Sequence, residues 1–126
     1  MIGVTYRYGA AGKGKGMRRL AMGLALLAGP AIAQQWQPLD GAGITAALSG
    51  RVVVYADGAR QDFKPDGQTI YTKGRDSLGH WALRGDLYCS VWPPSDIWAC
   101  YAVAVQGTAV KFIAADGSET QGAIAP

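Results

Sequence analysis

The stretch Tyr88 to Tyr101, YCSVWPPSDIWACY, carries most of the side chains that could do chemistry. Cys89 and Cys100 are the only cysteines of the chain. As thiolates they could ligate a metal, as a dithiol they could exchange electrons, and as a disulfide they would do neither. A structural zinc site wants four ligands at characteristic spacings, and two cysteines eleven apart with one histidine, His80, do not supply them. Redox dithiols use C-x-x-C. With Pro93–Asp96 as a turn, Cys89 falls opposite Cys100 without any shift of register, which predicts a cross-strand disulfide. Opposed Cβ atoms start slightly too far apart for a bridge, a gap that local twist can close. By loop entropy such a staple contributes about 3 kcal/mol. Neither a metal nor a cofactor is expected.

The remaining candidates are weaker. His80, in LGHWAL, has no acid and nucleophile near it in sequence and reads as a surface histidine. None of Ser49, Ser77, Ser90, Ser95 or Ser118 stands in a G-x-S-x-G elbow. Asp57, Asp66, Asp86 and Asp116 belong to turns, where Asp favours the local backbone. Asp62 and Glu119 remain, with nothing to fix a paired-carboxylate geometry. The glycine-rich run Gly9 to Gly16, GAAGKGKG, lacks the Ser or Thr and the preceding strand of a phosphate loop. From Gln34 on there is no dinucleotide fingerprint either. Enzyme activity is therefore not expected. Aromatic residues are the surplus. Most should fill a core, but Trp92, Pro93, Pro94 and Trp98 form a rigid tip suited to a partner or a sugar.

The elements that must hold this tip are short strands. Asp40 can cap a helix over Gly43–Leu48, with Ile44, Ala47 and Leu48 on one face and Gly50 as its stop. From Arg51 the chain alternates strand-like runs with turns: RVVVYA, Asp57-Gly58, RQDFK, Pro65-Asp66-Gly67, QTIYT. A looser loop is expected over Lys73–Leu78. Then follow HWALR, Gly85-Asp86, LYCSVW, Pro93–Asp96, IWACYAVAV, Gln106-Gly107, TAVKFIA, Asp116-Gly117 and SETQGAI. Asp-Gly between β-branched and aromatic runs is a strong hairpin signal. No connection is long enough for a crossover helix. The fold class is all-β: an antiparallel meander of roughly eight strands, a curved sheet or small barrel, after one short helix. Alternation gathers Trp81, Leu83, Tyr88, Trp92, Ile97, Tyr101, Val103 and Val105 on the core face, joined by Val110 and Phe112. The disulfide, Val91 and Trp98 fall on the outer face.

Residues 1–33 have another character. Lys13, Lys15, Arg18 and Arg19 precede the apolar run Leu20–Leu27, and Ala31-Ile32-Ala33 ends it in a small-x-small pattern. That is a signal peptide with cleavage before Gln34, and Met17 is an alternative start. The apolar run is too short to span a bilayer, so no stable membrane anchor is expected. Five of the twelve Lys and Arg residues and none of the nine acids lie in this leader. The whole-chain charge of +3 becomes −2 from Gln34 on, which removes the case for nucleic-acid binding. Residues 34–126 form one β-rich domain, of a size where a disulfide in an oxidising compartment helps a modest core.

The pattern from Tyr55 to Thr72 (YADGARQDFKPDGQTIYT), with GHW at Gly79–Trp81 and the W-P-P hairpin between paired cysteines, resembles a group of uncharacterised small exported proteins of alphaproteobacteria. That resemblance covers nearly all of residues 34–126 and implies a periplasmic β-rich domain, with no catalytic residues to carry over. A second likeness, to periplasmic lysozyme inhibitors, is architectural only, because Ser49-Gly50-Arg51 lacks the tyrosine of their inhibitory loop. The expectation is a non-enzymatic binding module, periplasmic or secreted. It would meet an envelope protein, a glycan or a small apolar ligand through Trp92, Pro93, Pro94 and Trp98. The alternative is a lipocalin-like carrier with a cavity inside the sheet.

Overall fold

A computed structural model describes residues 35–126; the leader expected at 1–33 and its candidate start at Met17 lie outside the described residues. Gln34–Pro126 make one compact unit. Its elements are β1 (Gln37–Pro38), α1 (Gly41–Leu48), β2 (Arg51–Tyr55), β3 (Arg60–Phe63), β4 (Gln68–Lys73), β5 (Arg75–Arg84), β6 (Leu87–Val91), β7 (Ala99–Gln106), β8 (Ala109–Ala114) and β9 (Glu119–Ile124). All pairings are antiparallel. Each strand from β2 to β9 pairs with the next, and β9 returns to β2. The sheet therefore closes into an eight-stranded barrel, which removes its free edges.

β1 is an additional strand. β6 begins at Leu87 and pairs with β7 only from Ala99 to Tyr101, which leaves the rest of that edge of β7 open. The extended lead-in fills it, pairing Gln37 with Val105 and Pro38 with Ala104. The Leu39 N–H then donates to the Val103 carbonyl at 2.9 Å. Outside this seam, Lys111 holds its ammonium 4.5 Å from the centre of the Trp36 ring and 3.5 Å from Glu119.

α1 starts where Asp40 caps it, its carboxylate accepting from the Gly43 N–H at 2.8 Å. The helix includes Gly41 and Ala42 as well as the expected Gly43–Leu48. A Cβ on Gly41 would stand 2.7 Å from the Gly85 carbonyl oxygen, so the absent side chain lets the helix start touch the β5–β6 turn. The Gly41 N–H donates to Asp86 Oδ1 there, and the Gly50 N–H donates to the Phe63 carbonyl at the helix end. Ile44 and Leu48 are fully buried with Phe63, Trp81 and Tyr88. The helix is thus a plug for one end of the barrel, the end carrying the β3–β4, β5–β6 and β7–β8 turns.

The inward face follows the expected alternation. Val53, Phe63, Trp81, Tyr88, Val103, Val110 and Phe112 form the buried core, with Leu83, Tyr101 and Val105 packed on it. Two expectations fail. Ile97, expected on the core face, is 77% exposed, because Trp92–Trp98 leave the sheet as a loop and β7 begins only at Ala99. The expected loop over Lys73–Leu78 is instead a tight reversal at Gly74, and β5 runs from Arg75. Gly74 takes φ 80°, the left-handed region a side chain disfavours, and Thr72 donates to Asp76 across the reversal at 2.7 Å. The polar run Arg75-Asp76-Ser77 hid this strand.

Candidate functional site

The cysteines are bonded to each other, with Cα atoms 4.0 Å apart. The expected register holds: Ala82 faces Cys89, Cys89 faces Cys100, and Tyr88 faces Tyr101. The bridge lies on the outer face, yet Cys89 is fully buried. Arg84 shares the strand face of Ala82 on β5, and the Trp98 ring meets its guanidinium at 5.0 Å. His80 is exposed on the same outer face. Among the described residues no group of three or more His, Cys, Asp and Glu side chains could hold a metal.

Trp92 takes the opposite side. It directly follows β6 and turns inward over β5, where Gly79 leaves an inward-facing position empty. A Cβ on Gly79 would lie 2.5–2.8 Å from three carbons of the Trp92 ring. The indole stands edge-to-face with Tyr71 at 6.3 Å, and its N–H donates to Ser90 Oγ at 3.3 Å. Pro93 and Pro94, joined by a cis bond, are exposed in the loop beyond it. Trp92 and Trp98 therefore do not share a surface: one lines the barrel interior and the other covers its outer wall.

Trp92 is one wall of a cavity of about 640 Å³ at the end of the barrel opposite α1. Asp57 from the β2–β3 turn, Ser77 from the start of β5, and Glu119, Thr120 and Gln121 from the start of β9 surround its mouth. Tyr55, Tyr71, Tyr88, Tyr101 and Phe112 form the aromatic interior. Neighbouring ring centres are spaced 6.3 Å for Trp92–Tyr71, 6.1 Å for Tyr71–Tyr55, 6.3 Å for Tyr55–Phe112, 6.5 Å for Phe112–Tyr101 and 5.9 Å for Tyr101–Tyr88. The rings form an unbroken arc.

The floor is a neutral polar network centred on buried Gln61. Its Oε1 accepts from the Tyr55 hydroxyl at 2.7 Å, and its Nε2 donates to Thr69 Oγ1 at 2.9 Å and to the Tyr88 hydroxyl at 3.1 Å. Thr69 donates onward to the Asp62 carbonyl at 2.8 Å. Every polar atom of the amide is engaged, as a buried amide requires. Burial pushes the Tyr55 phenol well above its ordinary value, reinforced by the neighbouring phenols. Burial raises Tyr88 too, with Ser90 and Gln61 pulling the other way. Both therefore stay protonated at neutral pH. At the rim, Lys73 Nζ donates to Asp57 Oδ2 at 2.8 Å, and that hydrogen bond holds the Asp57 carboxyl below the usual range.

Sequence reasoning reached Trp92 and missed Tyr55, Gln61, Tyr71 and Ser90 as parts of one site. One signal was available. Gln61 shares the strand face of Phe63, and a polar residue at a core-parity position marks a hydrogen-bonded interior. Compared with family models, with curated proteins and with solved structures, the chain matches none.

Proposed function

We propose that this is a small exported binding protein, not an enzyme, that holds a small and mostly apolar ligand in the open end of its barrel. The observation that carries the reading is the cavity itself. It falls within the ~300–1,000 Å³ range of small-molecule sites, and it is aromatic with a few converging polar groups, as such sites are. The barrel scaffold supports it: one end is stoppered by α1 and the other is left open. Export is supported by the signal-like leader and the disulfide. No helix among the described residues is long and apolar enough to cross a membrane.

The test is a fluorescence titration of the disulfide-bonded protein with the neutral apolar probe N-phenyl-1-naphthylamine. Saturable binding is expected, and Thr120→Phe, which fills the mouth from an exposed position, should weaken it by about tenfold or more. Absence of saturable binding, or indifference to the filled mouth, would overturn the reading. A second reading, a hairpin tip that docks an envelope glycan, is favoured by the exposure of Pro93, Pro94 and Ile97. Soluble peptidoglycan fragments that bind the protein and are lost in Ile97→Ser, with probe binding unchanged, would select it.

A further inference from the structure

We propose that the ligand of the barrel mouth is an organic cation of the quaternary ammonium type, an inference that rests on reading the mouth as a binding site. The aromatic arc carries the argument. Trp92, Tyr71, Tyr55, Phe112, Tyr101 and Tyr88 follow one another around a single cavity. An aromatic face is the negative side of the ring quadrupole, and rings grouped around one space attract a diffuse positive charge without needing hydrogen bonds from it.

The charges of the lining point the same way. Its carboxylates are Asp57 and Glu119, and it contains no Lys, Arg or His. An anionic ligand would lose its water there and find no cation to pair with. Asp57 is itself paired with Lys73 at the rim, and Glu119 reaches back to Lys111, which lies against Trp36 on the outer wall. Both carboxylates are already paired, so the choice of a cation falls to the rings rather than to the carboxylates.

The floor adds a third constraint. Both donors of the Gln61 amide are already spent on Thr69 and Tyr88, so its N–H groups cannot solvate an incoming anion. A quaternary ammonium carries no N–H and so asks for no acceptor, which suits a closed network. The Tyr71 and Tyr101 hydroxyls, which carry no hydrogen bond among the described residues, remain to orient a polar tail.

An NMR titration of the disulfide-bonded protein tests this with choline and with its uncharged carbon isostere, 3,3-dimethylbutan-1-ol. Choline should bind about tenfold or more tightly than the isostere, shifting the Trp92 indole and the Tyr71 ring, and Trp92→Leu should narrow that difference. Equal affinity of the two probes would overturn the cation and leave the mouth as a neutral apolar site. Silence of choline while the naphthylamine binds would overturn it in the same way. Silence of all three probes would remove the binding site together with the inference.

Discussion

Gly79 shows how much one missing side chain decides. It occupies an inward position of β5 between Ser77 and Trp81, and the Trp92 ring lies in the space its Cβ would need. Gly79→Ala should displace Trp92 from the cavity wall, weaken the naphthylamine probe about tenfold and destabilise the fold by about 1–3 kcal/mol through overpacking. Unchanged Trp emission and probe affinity would show that the seat does not hold the ring. The phenols allow a second prediction. Unfolded tyrosines lose their protons near pH 10, whereas burial lets folded Tyr55 and Tyr88 keep theirs to higher pH. Above that point the folded chain binds more protons than the unfolded one, so stability falls as pH rises. It should be undiminished below pH 10 and then drop by up to about 1.4 kcal/mol per pH unit for each phenol. Urea midpoints measured on either side of pH 10 check this, and a midpoint that stays level well into the alkaline range would contradict the burial of both groups. At this scale sequence was informative where a residue acts alone, as with the turn Asp residues. It was silent where two distant residues share one space, as Gly79 and Trp92 do.

At the scale of elements, the hairpins were legible because their turns are chemical. Asp57-Gly58, Gly85-Asp86 and Asp116-Gly117 each lie between paired strands as expected. β5 was read four or five residues short because Arg75, Asp76, Ser77 and Leu78 are exposed and no core face marks them. The helix was legible from its cap, but its role as a stopper was not. Leu48 is fully buried against the barrel end, so Leu48→Ala should cost about 2–5 kcal/mol in urea unfolding. If α1 only decorated the barrel, the loss would be a fraction of that, and the naphthylamine site at the far end would be unaffected in either case.

The barrel as a whole is not equally strong around its girth. The β6–β7 and β2–β9 seams have three registered pairs each, whereas β4–β5 and β7–β8 have six. The disulfide joins the two strands of one short seam. Reduction should lower stability by about 3 kcal/mol, the loop-entropy value for a closure of this length. Hydrogen exchange should then quicken first in β6 and the first half of β7, next to the Trp92 wall. Uniform quickening over all eight strands would show that the bridge acts on the unfolded chain alone. Trp98→Ala, which removes the Arg84 contact on the bridge's face of the sheet, should make the bridge faster to reduce without changing the fold.

The sequence by itself determined the fold class, the Asp-Gly and Gly-Asp turns, most of the inward strand face and the pairing of Cys89 with Cys100. All of these follow from period-two alternation and local turn chemistry, which act over a few residues. Only the tertiary structure decided that the sheet closes, that α1 stops one end, and that Tyr55, Gln61, Tyr71 and Trp92 meet in one cavity. Those outcomes depend on β9 returning to β2 and on which inward positions are left empty. Contacts between residues so far apart in the chain leave no local pattern to read.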